Sequence, residues 1–177
     1  MFWFKMGPMG NGTTDGKTKG RPIQQLIADL NALTAADFDM SRADADGVRR
    51  CYDLADEILA WSSSDEVVNA VFAVFERLPD SDLGSPGPLI HTIEKVPGYE
   101  SRLLESVERH PTPHTVWMIN RLLNLPQPRE RRKQLLNLLR NAASHPLANT
   151  ATRERARRFL QWQHSSGRTR VGPRLKR

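Results

Sequence analysis

The sequence predicts an all-α fold, a stack of antiparallel helix pairs forming an α-solenoid of about eight helices. Three observations lead there. Apolar residues recur at helical spacing from Ile23 to Trp162, and no segment sustains the alternation of a half-buried strand. Proline also punctuates the chain at nearly regular intervals. Pro79, Pro111 and Pro146 fall inside pairs, 32 and 35 residues apart, whereas Pro97 and Pro126 fall between pairs, 29 apart. A period of this order with helix–turn–helix content marks stacked repeats, each burying one face only against the next. The repeats share few side chains, so a globular helical bundle stands as the alternative.

The elements follow in order. Residues 1–20 are rich in Gly and Thr, lack periodicity and read as disordered. The helical domain spans 21–164. Its first helix opens after Pro22 with Ile23, Leu26, Ile27, Leu30 and Leu33 on one face. A second follows the capping signal Ser41-x-x-Asp44, with Val48, Cys51, Tyr52, Ala55, Ile58 and Leu59 as its apolar stripe. Ser63-Ser64-Asp65-Glu66 reads as another capping box. The helix behind it is apolar most of the way round, which predicts burial between neighbours.

Ser85-Pro86 reads as an N-cap with proline at the first helical position, where its missing N–H is harmless. Val96-Pro97-Gly98 ends that helix, and the next runs from about Tyr99 to Arg109. Thr112-Pro113 repeats the cap-plus-proline start for a helix that Leu125-Pro126 closes. Pro128 starts the seventh helix, and the eighth runs from about Thr150 to His164. Residues 165–177 are basic and contain Gly and Ser, and they read as a disordered tail.

Charge is distributed unevenly. Residues 21–100 carry six Lys/Arg against fifteen Asp/Glu, a balance of −9, while residues 101–177 carry seventeen against four, a balance of +13. The basic end keeps nucleic acid open as a partner through phosphate contacts, although the tail lacks aromatic residues for base stacking. The apolar opening Met1-Phe2-Trp3-Phe4 is too short for a secretory signal, no stretch is long enough to span a membrane, and Cys51 is the only cysteine. A cytoplasmic protein with no membrane partner is expected.

Residues that could do chemistry each have a plainer explanation. His110 and His114 have the i, i+4 spacing of two metal ligands, but Pro111 and Pro113 break any continuous helix between them. His91 and Glu94 lie three apart on a helix and could form an acid–base pair, or an ordinary surface contact. Cys51 lies on an apolar stripe as a core thiol. Gly84-Ser85-Pro86-Gly87-Pro88 lacks both the G-K-[ST] ending and the preceding strand of a phosphate loop. No set supplies nucleophile, base and orienter together. A non-enzymatic protein with no metal and no cofactor is the expectation.

Two features point to binding instead. An acidic cluster that includes Asp53, Asp56, Glu57, Asp80 and Asp82 could steer a basic partner, or form an ordinary solvated face. His114, Trp117 and Arg121 lie at i, i+3 and i+7, with Asn120 beside them. Trp and Arg are enriched among interface hot spots, though Trp117 could equally be core.

The block Leu83-Gly84-Ser85-Pro86-Gly87-Pro88-Leu89-Ile90-His91-Thr92-Ile93-Glu94, then Gly98-Tyr99, then Pro111-Thr112-Pro113-His114-Thr115-Val116-Trp117-Met118-Ile119-Asn120-Arg121, resembles a family of small helical bacterial immunity proteins. These belong to polymorphic and contact-dependent toxin systems. The resemblance covers roughly residues 65–162. It implies a HEAT-like stack and a cognate protein toxin, encoded by an adjacent gene and neutralised by occlusion in the cytoplasm. The contact set expected from this chain's own residues is Asp53, Asp56, Glu57, Asp80, Asp82, His91, Glu94, His114, Trp117 and Arg121. A general helical-repeat adaptor is a further alternative.

Overall fold

The computed structural model describes residues 21–84 and 87–169, with side chains as far as Ser165. Among them are eight α-helices and no strand: α1 (Ile23–Asn31), α2 (Gly47–Ala60), α3 (Asp65–Arg77), α4 (Pro88–Ile93), α5 (Tyr99–Arg109), α6 (Pro113–Asn124), α7 (Arg129–Ala142) and α8 (Thr150–Thr169). A 3-10 turn, Ala35–Phe38, lies between α1 and α2.

The helices form two layers. Odd-numbered helices make one, with α1 on α3, α3 on α5 and α5 on α7. In the other, α2 packs on α4 and α6 on α8. Each pair closes on itself through a short connection, as stacked helical repeats do. The second layer is interrupted, because α4 is a six-residue helix that packs mainly on α2 and not on α6.

One core runs through the stack. It takes Leu26 and Leu30 from α1, nearly every apolar residue of α3, and Leu103, Ile119, Leu135 and Leu139 from the later helices. The expectation that α3 is buried most of the way round holds, with Val67, Val71, Val74 and Phe75 fully buried. Phe72 meets Phe75 edge-to-face, the centroids 5.8 Å apart, and burying each ring contributes roughly 1.5–3 kcal/mol.

Proline and glycine set the boundaries. Thr112 caps α6 as expected: its hydroxyl accepts the Thr115 N–H at 3.3 Å, and its own N–H donates to the Thr115 hydroxyl at 3.0 Å. α5 opens on Gly98, whose φ of +76° is left-handed and open to glycine at least cost. Gly87, the N-cap of α4, has φ +77°, and a Cβ there would lie 2.6 Å from the Leu83 carbonyl oxygen.

Several expectations need correction. α2 starts at Gly47 rather than after Ser41, because the Ser41 hydroxyl and N–H both donate to Asp39 and Arg42 takes Asp44. The Asp46 carboxylate, which stands at the N-cap, is drawn to Arg49. The inward face of α2 is Gly47, Cys51, Leu54 and Ile58, whereas Tyr52 is 64% exposed. Ser64 occupies the N-cap of α3 without a side-chain cap. Pro88, not Pro86, opens α4, and Ser85 and Pro86 lie outside the described residues. Helix α8 is described to Thr169, beyond the end expected near His164. The expectations for residues 1–20 and 170–177 lie outside the described residues.

The basic excess of the second half is partly consumed inside the fold. Arg132 donates to the Leu123 carbonyl near the end of α6, Arg157 to Ala143 after α7, and Arg153 to His145 and Pro146. Arg77 does the same for Leu30 and Leu33 near the end of α1. The Leu123 and Leu30 carbonyls belong to the last turns of α6 and α1, at the negative end of the helix dipole, where a guanidinium both caps and neutralises, whereas His145 and Pro146 lie in the connection between α7 and α8.

Candidate functional site

The interruption between α4 and α6 opens a cleft of about 730 Å³. One wall is the α3–α4 connection, with Asp80, Asp82 and Gly84. The floor holds Ile90 of α4 and His114 and Trp117 of α6, and the opposite wall is α8, with Arg155, Arg158 and Phe159. Helical spacing places each side chain: positions 114 and 117 share a face of α6, and 155, 158 and 159 share a face of α8. The cleft therefore pairs an acidic lip with a basic one across an apolar floor.

His114 is locked in place. Its ring lies 5.7 Å from that of Phe75, and Nε2 is 3.3 Å from the Leu78 carbonyl oxygen. Burial pushes its pKa below the ordinary value and the Arg155 charge adds to that, against the opposing pull of the Leu78 and Ser81 carbonyls and of Asp82. A neutral imidazole donating through Nε2 satisfies this geometry.

Trp117 is partly buried and packs against the core along one edge. The Arg121 guanidinium carbon lies 4.9 Å from the Trp117 ring centroid, a cation–π distance. Arg121 also grips Glu94, the C-cap residue of α4, with two hydrogen bonds. Of the predicted stripe, His114 and Trp117 line the cleft, while Arg121 and Glu94 line a separate hollow with Tyr99 and Leu125. Asn120 faces away from the stripe and accepts a bond from Gln163 at 3.0 Å.

The remaining expected residues are placed as follows. Asp80 accepts a bond from the Asn149 amide at 2.5 Å, and Asp82 accepts the Gly84 N–H at 3.0 Å. His91 is exposed and makes no hydrogen bond to Glu94, so the suspected acid–base pair does not form. Asp53, Asp56 and Glu57 lie on α2, away from the cleft lining. Asp53 is paired with Arg49 at 2.9 Å, and Glu57 is held by Arg21 at 2.9 and 3.0 Å. The acidic cluster thus divides into a part on α2, where Asp53 and Glu57 are paired with arginines, and a lip of two carboxylates at the cleft.

Sequence reasoning missed Arg155, Arg158 and Phe159. The signal was present, since Ala151, Arg155, Phe159 and Trp162 recur at i, i+4, i+8 and i+11.

Cys51 is fully buried, and burial pushes its thiol up to about 12. No group of three His, Cys, Asp or Glu among the described residues is arranged to hold a metal ion. None of the described helices is long and apolar enough to cross a membrane. Comparison with protein-family models, with characterised proteins and with solved structures finds no match to this chain.

Proposed function

We propose that this chain is a protein-binding helical module that docks a partner through the α4–α6–α8 face. In the more specific form, it is a bacterial immunity protein that neutralises a cognate toxin in the cytoplasm by covering the toxin's active site. The observation that carries the docking reading is the cleft itself. It joins a partly exposed Trp, an apolar floor and opposed charged lips on a framework of packed helices, the composition of an interface hot spot ringed by polar groups. The immunity form rests on the resemblance of the Leu83–Glu94 and Pro111–Arg121 blocks, and these contribute Gly84, Ile90, Pro113, His114 and Trp117 to the cleft.

Co-expression with the product of the adjacent toxin gene tests both levels. A complex that co-purifies, restores growth and is weakened at least about tenfold by Trp117→Ala supports the immunity reading. No complex and no rescue rejects it. A complex indifferent to Trp117→Ala moves the interface away from the cleft.

A further inference from the structure

We propose that the partner's inserted element is an acidic side chain flanked by an apolar or aromatic one, its carboxylate held by Arg155 and Arg158. The inference rests on the cleft being the docking surface and adds what enters it.

The arginines seen in ion pairs lie at Arg21 or between Arg42 and Arg131 and hold carboxylates of this chain. Arg155 and Arg158, one turn apart on α8, have none among the described residues. Arg155 donates one bond, to the Pro113 carbonyl at 3.3 Å, and Arg158 is exposed. Burial and the neighbouring Arg158 both act to push the Arg155 guanidinium down from its ordinary value. Two cations thus share one wall of the cleft without an ion-pair partner among the described residues, and an incoming anion held by both supplies one.

The opposite lip decides which anion. Asp80 and Asp82 repel a second negative charge, so a phosphate dianion is disfavoured against a singly charged, planar carboxylate. Ile90, Trp117 and Phe159 leave an apolar floor that the carboxylate alone does not cover. An adjacent aliphatic or aromatic side chain fills it, and the volume admits about two side chains.

The test titrates the full chain with 3-phenylpropionate, its neutral amide and phenethylamine, following Trp117 by fluorescence and the α8 resonances by NMR. The expected order places the carboxylate at least about tenfold tighter than the amide, with the amine weakest. Arg158→Glu removes a side chain that holds nothing in the fold, and it should abolish the preference while leaving the helical spectrum unchanged. Asp82→Asn should strengthen carboxylate binding. Equal affinity for all three probes, preference for the amine, no carboxylate binding at about 10 mM, or tighter capture of inorganic phosphate overturns the inference. Should any of these occur while Trp117→Ala still weakens the partner complex, the docking reading stands and only the chemistry of the occupant falls. Should Trp117→Ala also be silent, both fall.

Discussion

Arg121 reaches across the interruption in the second layer to hold Glu94, Nε to Oε1 at 2.6 Å and Nη2 to Oε2 at 2.8 Å. With α4 and α6 lacking close backbone packing, this bidentate pair is a direct tie between them. It also fixes the cation over the Trp117 ring.

Glu94→Gln should therefore destabilise the chain by about 1 kcal/mol, a value kept modest because the pair is partly exposed. A double-mutant cycle with Arg121→Gln, read by urea denaturation, should return most of that loss as coupling. Additive effects would show that the pair does not hold the layer together.

Phe75 is fully buried and packs on both Phe72 and His114. Phe75→Ala should cost about 3–5 kcal/mol in denaturant-induced unfolding, as large cavities in cores do. A loss below about 1 kcal/mol would mean that the surrounding helices collapse into the space.

Stability should depend on pH through His114. Its folded pKa lies below the ordinary 6.5 because it is buried beside Arg155. A base with a depressed folded pKa binds more protons when unfolded. The stabilisation is therefore complete above pH 6.5 and is lost as pH falls from there towards the folded value. Denaturation midpoints across that range should decline for the native chain and flatten for His114→Asn. An equal slope in both proteins would locate the titration elsewhere.

Cys51 should react with a thiol reagent only as fast as the protein opens. The thiol is fully buried, and its pKa is pushed up to about 12. Labelling kinetics that match global unfolding are expected. Rapid labelling of the native chain would show local opening of α2.

Gln163 should matter more than a polar residue near the end of a sequence ordinarily does. Its Nε2 donates to Asn120 at 3.0 Å and to Asn124 at 2.8 Å, while its Oε1 accepts from Arg132 at 2.9 Å. Gln163→Ala leaves two amide oxygens and a guanidinium short of partners and should cost about 1–3 kcal/mol in urea denaturation. A neutral change would show that water replaces the amide.

The starts of α5, α6 and α7 were legible because Gly98, Pro113 and Pro128 act through their own backbones, whatever packs nearby. The start of α2 was not. Asp39 and Arg42 compete for the Ser41 and Asp44 side chains that would have capped it, and that competition depends on a turn no local pattern announces. At the site, the Trp117–Arg121 stripe was readable from spacing on one helix. Arg155 opposite it on α8 was not, because its contact is with a carbonyl 42 residues away, and Gln163, behind the site, likewise gains its role from Asn120, 43 residues away. Polar residues at such distances look like surface until the stack is assembled.

The layered packing also bears on how the chain acquires its structure. Each described helix rests chiefly on neighbours one or two positions along the chain, so most contacts close short loops. The entropy of closure is spent in small steps, and folding at low contact order is fast. Asp80 and Asn149, bonded across 69 residues at the rim of the cleft, are an exception. That bond ties the acidic lip to the residue that precedes α8, so the two walls of the cleft are joined by a contact that no local segment can make alone.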